Sequence, residues 1–347
     1  MNSETAYTLL QLMLNDLHSQ ADIYQPTSFW DQASIDISND LSKHGFDFFR
    51  SLSSTRSFFV PSYGPPFNRL STALVEKIIG TTASNEDQRI TLDHMLNGEM
   101  WALSDYRVVM AGNRSYDKLN LASANESKIG NPVEHFHFDN KWFSRSFLNY
   151  LLGLTFLKQH IDTENIHRVV EVGGGFGSLG EILSQTGEYA YVNIDIPPTA
   201  AVSSYYLSQQ PNIRLITYTD THNLETILFP DRGTQMVLCP WQLPHLQGNA
   251  DLFVNFISFQ EMEPDVVEHY LHHVDRLNCR YILLRNLREG KQKRTKHSCG
   301  VESPTLSEDY DRFLSNYQLI ATNVHPFGFR TLDGFHSELR LYQRSSQ

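Results

Sequence analysis

Apolar residues recur at helical spacing at the start of the chain, where Leu9, Leu10, Met13, Leu14 and Leu17 mark one face of an amphipathic helix over residues 5–18. The pattern restarts at Phe29 and Trp30 and continues through Ile35, Ile37, Leu41, Phe46, Phe48 and Phe49, an aromatic density that reads as core. Helical periodicity returns over 71–79 and 88–110, separated by a polar loop at 81–87. Residues 1–128 therefore read as a mostly helical N-terminal domain. A further helix is expected from near Asn140, carrying Phe143, Phe147, Leu148, Leu151, Leu152, Leu154 and Leu157.

Beyond it the pattern changes to short apolar runs alternating with helical segments, which predicts a mostly parallel sheet in residues 129–347. The runs are 169–172, 190–194, 213–218, 235–238, 252–256 and 281–284. The fifth is expected beside the first, whereas the place of 235–238 in the sheet is not legible. Residues 320–324 and 339–342 read as an antiparallel closing pair. The fold class is α/β, Rossmann-like, with helices on both faces of the sheet.

One stretch organises this half. Val169-Val170-Glu171-Val172-Gly173-Gly174-Gly175-Phe176-Gly177 reads as strand, tight turn and the start of a helix, the opening of a nucleotide-binding α/β unit. Glycines suit a turn whose backbone must approach a ligand closely. The run is not the G-x-G-x-x-G of dinucleotide sites, and Glu171, two residues ahead of the first glycine, suits a cation such as the ammonium of a methionine moiety. A second strand ends in Asp195, about 20 residues on, where a ribose diol is usually held. Gly173, Gly174, Gly175 and Asp195, with Ile196 beside it, thus read as an adenosyl site. Asp220, at the end of 213–218, can meet the adenine amino group or simply cap the next turn. By the switch-point rule the end of the 252–256 strand faces the reaction centre, which brings in Ser258 as a cofactor contact, with Gln260 and Glu261; Asn286, ending the next strand, joins Gln260 as a substrate contact.

Composition narrows the partners. A formal net charge of -11 argues against a phosphate backbone as substrate, although Arg285 to Arg294 forms a local basic patch. Cys239, Cys279 and Cys299 form no C-x-x-C pair and suit a reducing compartment. The first residues lack a signal-peptide pattern and no run suits a membrane span, so a soluble cytoplasmic protein is expected. The N-terminal amphipathic helix could contact a second copy, giving a homodimer through the helical domain, or pack on its own domain.

The segment Glu134-His135-Phe136-His137-Phe138-Asp139 has three readings: substrate contacts above the cofactor pocket from Glu134, His135 and His137, a divalent metal held by His-x-His with a carboxylate, or a surface strand with alternating faces. The last needs no ligand, and no metal is expected. Glu261 is the first candidate for base or orienting group, with His137 and His245 behind it; a helix N-terminal acid is the alternative for Glu261.

Taken together, Phe29-Trp30, Phe48-Phe49-Arg50, Ile129-Gly130-Asn131-Pro132, Glu171 to Leu179, Asn193-Ile194-Asp195-Ile196-Pro197 and Asp251 to Met262 resemble the bacterial family known as sugar O-methyltransferases, over roughly 28–342. That family belongs to the class I S-adenosylmethionine-dependent methyltransferases. Ile196 departs from its usual leucine and leaves the acid in place. The resemblance implies a class I methyltransferase sheet, S-adenosylmethionine as cofactor, and methyl transfer to a small molecule such as a sugar hydroxyl. N-methylation of an amino or guanidino group of an amino-acid-like metabolite in natural-product biosynthesis is the alternative. An NAD-dependent oxidoreductase and a catalytically silent scaffold stay as further readings.

Overall fold

The computed structural model describes residues 1–65, 67–113, 119–211, 213–295 and 299–345. Its strands are β1 (Phe136–Phe138), β2 (Lys141–Phe143), β3 (Arg168–Val172), β4 (Ala190–Ile194), β5 (Arg214–Ile216), β6 (Ile227–Leu228), β7 (Thr234–Leu238), β8 (Leu246–Gln247), β9 (Leu252–Phe256), β10 (Tyr281–Leu287), β11 (Tyr317–Asn323), β12 (Phe329–Arg330) and β13 (His336–Arg344). Its helices are α1 (Ser3–Leu17), α2 (Asp31–His44), α3 (Ser53–Phe58), α4 (Thr72–Thr82), α5 (Glu86–Leu96), α6 (Glu99–Gly112), α7 (Arg145–His160), α8 (Ser178–Thr186), α9 (Pro197–Ser208), α10 (Tyr218–Thr221), α11 (Pro264–Arg276) and α12 (Ser307–Phe313).

The main sheet runs β5-β7-β4-β3-β9-β10-β13-β11, with β12 also on β13. Strands β5 to β10 pair in parallel, and β13 lies antiparallel to both β10 and β11. β9 lies beside β3 and the closing pair is antiparallel, as expected. The unplaced run becomes β7, inserted between β4 and β5, so β5 is an edge strand and not the immediate neighbour of β4.

Alternation along each strand divides the core in two. Val169, Tyr191, Val237, Val254, Leu283 and Leu341 pack with residues of α1, α2 and α6 to α9 on one face. Val170, Val192, Leu238, Phe253, Ile282 and Tyr342 pack with Val267, Leu271 and Val274 of α11 and Tyr310 of α12 on the other. This is the two-sided layering of a doubly wound, Rossmann-like α/β sheet. The apolar face of α1, Ala6, Leu10 and Met13, is wholly buried in the first layer, so this helix packs on its own chain and any contact between copies would use other residues.

Two expected helices are redrawn. The stretch 88–110 breaks at Gly98, whose φ of 90° is open to glycine and where a Cβ would stand 2.5 Å from the Gly64 backbone nitrogen. The close passage of the 63–64 backbone forces the break and yields α5 and α6. No helix begins at Asn140; Asp139 and Asn140, both with positive φ, turn the β1–β2 hairpin, and α7 starts at Arg145, where the Ser144 side chain caps it. Among the described residues no helix is long and apolar enough to cross a membrane.

Candidate active site

The carboxyl ends of β3 and β9 flank the point where the strand order reverses, and a cavity of about 480 Å³ opens there. Gly173 (φ 72°) donates its N–H to the Ile194 carbonyl at 2.8 Å, and a Cβ on it would stand 2.0 Å from Ser258 Oγ. A Cβ on Gly174 would meet Asn193 Oδ1 and Glu171 Oε2 at 2.5 Å. Gly175 (φ 59°) has open space where a Cβ would go, so the loop leaves room for a ligand at that position. The three glycines line the cavity together with Asp195, Ile196 and Ser258.

Asp195, at the end of β4, accepts hydrogen bonds from the backbone N–H of Gly175 (2.9 Å) and Ile196 (2.8 Å). Burial, above all, pushes its carboxyl up to about 8, against these two donors. Thr199, in the first turn of α9, also lines the cavity and its buried Oγ1 has no hydrogen-bond partner. An acid, an unpartnered hydroxyl and a loop with free space fit the ribose and methionine end of an adenosyl ligand.

On the β9 side, Ile257 takes a φ of 74°, a strained conformation for a β-branched residue, and turns the chain into the short 3-10 segment Ser258–Glu261. Asn255 Nδ2 donates to Ser258 Oγ at 2.6 Å, and Asn286 Oδ1 receives the Gln260 N–H at 3.1 Å. The outcome places Glu261 at the cavity wall, nearly buried, with Oε1 2.9 Å from Lys291 Nζ and Oε2 accepting from Trp30 Nε1 at 3.1 Å. Thr27 Oγ1 donates to the Glu261 carbonyl and Ser28 Oγ to Glu263, so residues 27–30 strap the N-terminal helices onto the end of β9.

Several sequence-derived site residues lie elsewhere. Glu171 does not line the cavity: it is wholly buried beneath Gly174, where the hydroxyls of Tyr150 and Tyr191 donate to it, so it supports the loop instead of meeting a ligand directly. Glu134 accepts the backbone N–H groups of Tyr63 and Gly64, which fixes that loop and not a substrate. His135, its side chain almost buried, stacks on Trp142 and stands 3.2 Å from Glu126, and exposed His137 packs on the same indole; neither lines the cavity. Asp220 closes a capping box with Thr217 at the start of α10. His245 is exposed, with Nδ1 at the Glu225 carbonyl, and Asn286 is buried behind Gln260 and Asn255. Among the described residues no group of three or more His, Cys, Asp or Glu could hold a metal ion.

No family model and no curated protein matches the chain. Similar solved structures include magnesium protoporphyrin IX methyltransferase from Synechocystis PCC 6803 with bound SAH (14% identity, TM-score 0.36, 57% of this chain and 86% of that one). A glycopeptide N-methyltransferase complexed with S-adenosyl-L-methionine gives 12% identity and TM-score 0.37 over 56% of this chain and 86% of that one. A SAM-dependent methyltransferase from Leishmania major gives 13% and 0.40 over 57% and 72%. Likeness at this level carries no weight for activity; strand order and the two-sided core carry the fold.

Residues not foreseen as site residues are Trp30, Lys291, Tyr150, Arg145 and the aromatic walls Phe58, Phe67, Phe329 and Phe335. Trp30 reads as core in sequence because an aromatic run has the same pattern whether it faces a sheet or a cavity.

The glycine loop rests on a titratable support with a measurable consequence. Burial pushes Glu171 from an ordinary 4.5 up to about 7, against the two tyrosine donors. The folded state therefore holds this proton more tightly than the unfolded state, and stability falls as pH rises from about 4.5 to about 7, by ~3 kcal/mol for this group. Glu171→Gln removes that slope: its melting temperature should fall less than that of the wild type between pH 5 and pH 8. Parallel melting curves would exclude the assignment.

Proposed function

We propose that the chain is an S-adenosylmethionine-dependent methyltransferase acting on a small molecule. The observation that carries this is one cavity lined both by the glycine loop and Asp195 and by Glu261 and a set of aromatic side chains. Asp195 would hold the ribose hydroxyls and the glycine loop the methionine portion. When bound, the cofactor supplies a methyl group already activated on a sulfonium, so the chain's task is chiefly alignment. The acceptor's lone pair forms the new bond to the methyl carbon while the carbon–sulfur bond breaks with its electron pair on sulfur. The acceptor's proton passes to Glu261 or to water.

The resemblance to sugar O-methyltransferases supports a hydroxyl acceptor. N-methylation is the second reading, favoured by Glu261: with one oxygen at Lys291 and the other at Trp30, its carboxylate is held in place and suited to orienting an N–H acceptor. Natural-product biosynthesis and a cytoplasmic location are consistent with this small-molecule role.

Titration calorimetry with S-adenosylhomocysteine, S-adenosylmethionine and NAD in parallel tests the reading. Micromolar binding of the first two without NAD is expected. Binding of NAD alone would transfer the site to oxidoreductase chemistry, and silence from all three would leave a scaffold without a cofactor.

A further inference from the structure

The cavity is also walled by Phe67, Phe329 and Phe335, and two guanidinium groups stand beside the first two of these rings. Arg145, the first residue of α7, is buried and lines the cavity; its Nη1 donates to the Ser62 carbonyl at 2.5 Å, and its guanidinium carbon lies 3.5 Å from the Phe67 ring centre and 5.1 Å from that of Phe329. Arg285, on β10, has no exposed surface. Its Nη1 donates to the Asn149 carbonyl at 2.9 Å and its Nε to Ser337 Oγ at 3.3 Å, while Nη2 has no partner; the Phe329 ring centre is 5.6 Å away. Asn149, Ser337 and Phe329 all line the cavity, so Arg285 stands immediately behind its wall.

Neither arginine makes an ion pair among the described residues. The acids whose fields reach them are engaged elsewhere: Asp105 accepts from the Tyr63 hydroxyl at 2.6 Å and Glu134 from the Tyr63 and Gly64 N–H groups. Burial lowers the proton affinity of both guanidiniums, Arg285 to about 10, against the attraction of Asp105 for both and of Glu134 for Arg145; burial pushes these two acids up in turn, Glu134 to about 7. A buried cation with no carboxylate in contact is costly, and a guanidinium presents a planar fork that matches a carboxylate.

We propose that Arg145, backed by the charge of Arg285 behind the wall, forms an anion subsite for the methyl acceptor, so that the molecule methylated is a carboxylic acid whose body lies against Phe67 and Phe329. The term acceptor rests on the methyl-transfer reading; the anion subsite does not. Position separates Arg285 from the ribose acid, since it lies on β10 and Asp195 ends β4, three strands away across β3 and β9, roughly 14 Å at ~4.8 Å per strand; the glycine loop, at the end of β3, is nearer. The cofactor's own methionine carboxylate is the other source of the same chemistry, and the test separates the two.

Calorimetry on protein saturated with S-adenosylhomocysteine compares benzoate with benzamide and glucuronate with glucose. In the wild type the acid of at least one pair should bind ten times or more tighter than its neutral partner. Arg145→Met and Arg285→Met should each abolish that preference while S-adenosylhomocysteine binds within threefold of wild type. No acid preference in the wild type overturns the proposal. It is equally overturned if the variants lose affinity for S-adenosylhomocysteine but keep it for 5′-methylthioadenosine, which lacks the methionine carboxylate, since the guanidiniums then serve the cofactor. Should S-adenosylhomocysteine fail to bind the wild type, methyl transfer falls and the acid-against-neutral comparison on free protein still decides the subsite. If the methionine variants lack native circular dichroism, the wild-type comparison decides alone.

Discussion

Replacing Asp195 with alanine should weaken S-adenosylhomocysteine binding about 30- to 150-fold in calorimetry, as the loss of hydrogen bonds from two ribose hydroxyls to one carboxylate costs ~2–3 kcal/mol. The folded state should survive, because this carboxyl, pushed up to about 8 by burial, does not stabilise the protein at neutral pH. A pH series sharpens the test. Hydroxyl donors prefer the ionised carboxylate, so binding must release the proton that Asp195 holds below pH 8; wild-type affinity should therefore rise between pH 6 and pH 8, by up to about tenfold per pH unit. The alanine variant should show no such rise. Native circular dichroism with unchanged affinity would remove Asp195 from the ribose role.

Glu261→Gln should act on the other quantity. With an acceptor present, turnover of labelled S-adenosylmethionine should fall by about 10²-fold or more, in the range of a lost acid–base or orienting group, while S-adenosylhomocysteine affinity stays within about threefold. The amide can still accept from Trp30 Nε1 but leaves the Lys291 ammonium without its counter-charge, so a stability loss of ~1–3 kcal/mol is expected beside the kinetic effect. Near-wild-type turnover with that stability loss would make Glu261 an anchor for the strap and nothing more.

The legible part of this molecule was local. The glycine run and Asp195 are set by a strand–turn–helix whose requirements are met within a few dozen residues, and the order of β3, β4 and β9 follows from connection rules. What escaped reading depends on distant backbone. The break at Gly98 exists only because the 63–64 loop passes against it, and the insertion of β7 beside β4 leaves no mark in a run that would be equally apolar at the edge. Histidines and acids mislead for the same reason. The alternation of 134–139 shrinks to the three-residue strand Phe136–Phe138, and whether its polar side chains meet a cavity or solvent is decided by where Trp142 and Glu126 come to lie. Arg145 and Arg285 are one residue at a helix start and one in a strand; nothing in sequence spacing announces that both meet Phe329.

The strap over β9 also has a history in time. Trp30 and Glu261 are 231 residues apart in sequence. At a synthesis rate of about 5–20 residues per second, the indole leaves the ribosome roughly 10–50 s before the carboxylate it holds has been made. Through that interval the aromatic segment around Phe29 and Trp30 has neither the β9 turn nor Lys291 to cover it. The corner where Trp30, Glu261 and Lys291 meet is thus completed in each new copy only after Lys291 has been made.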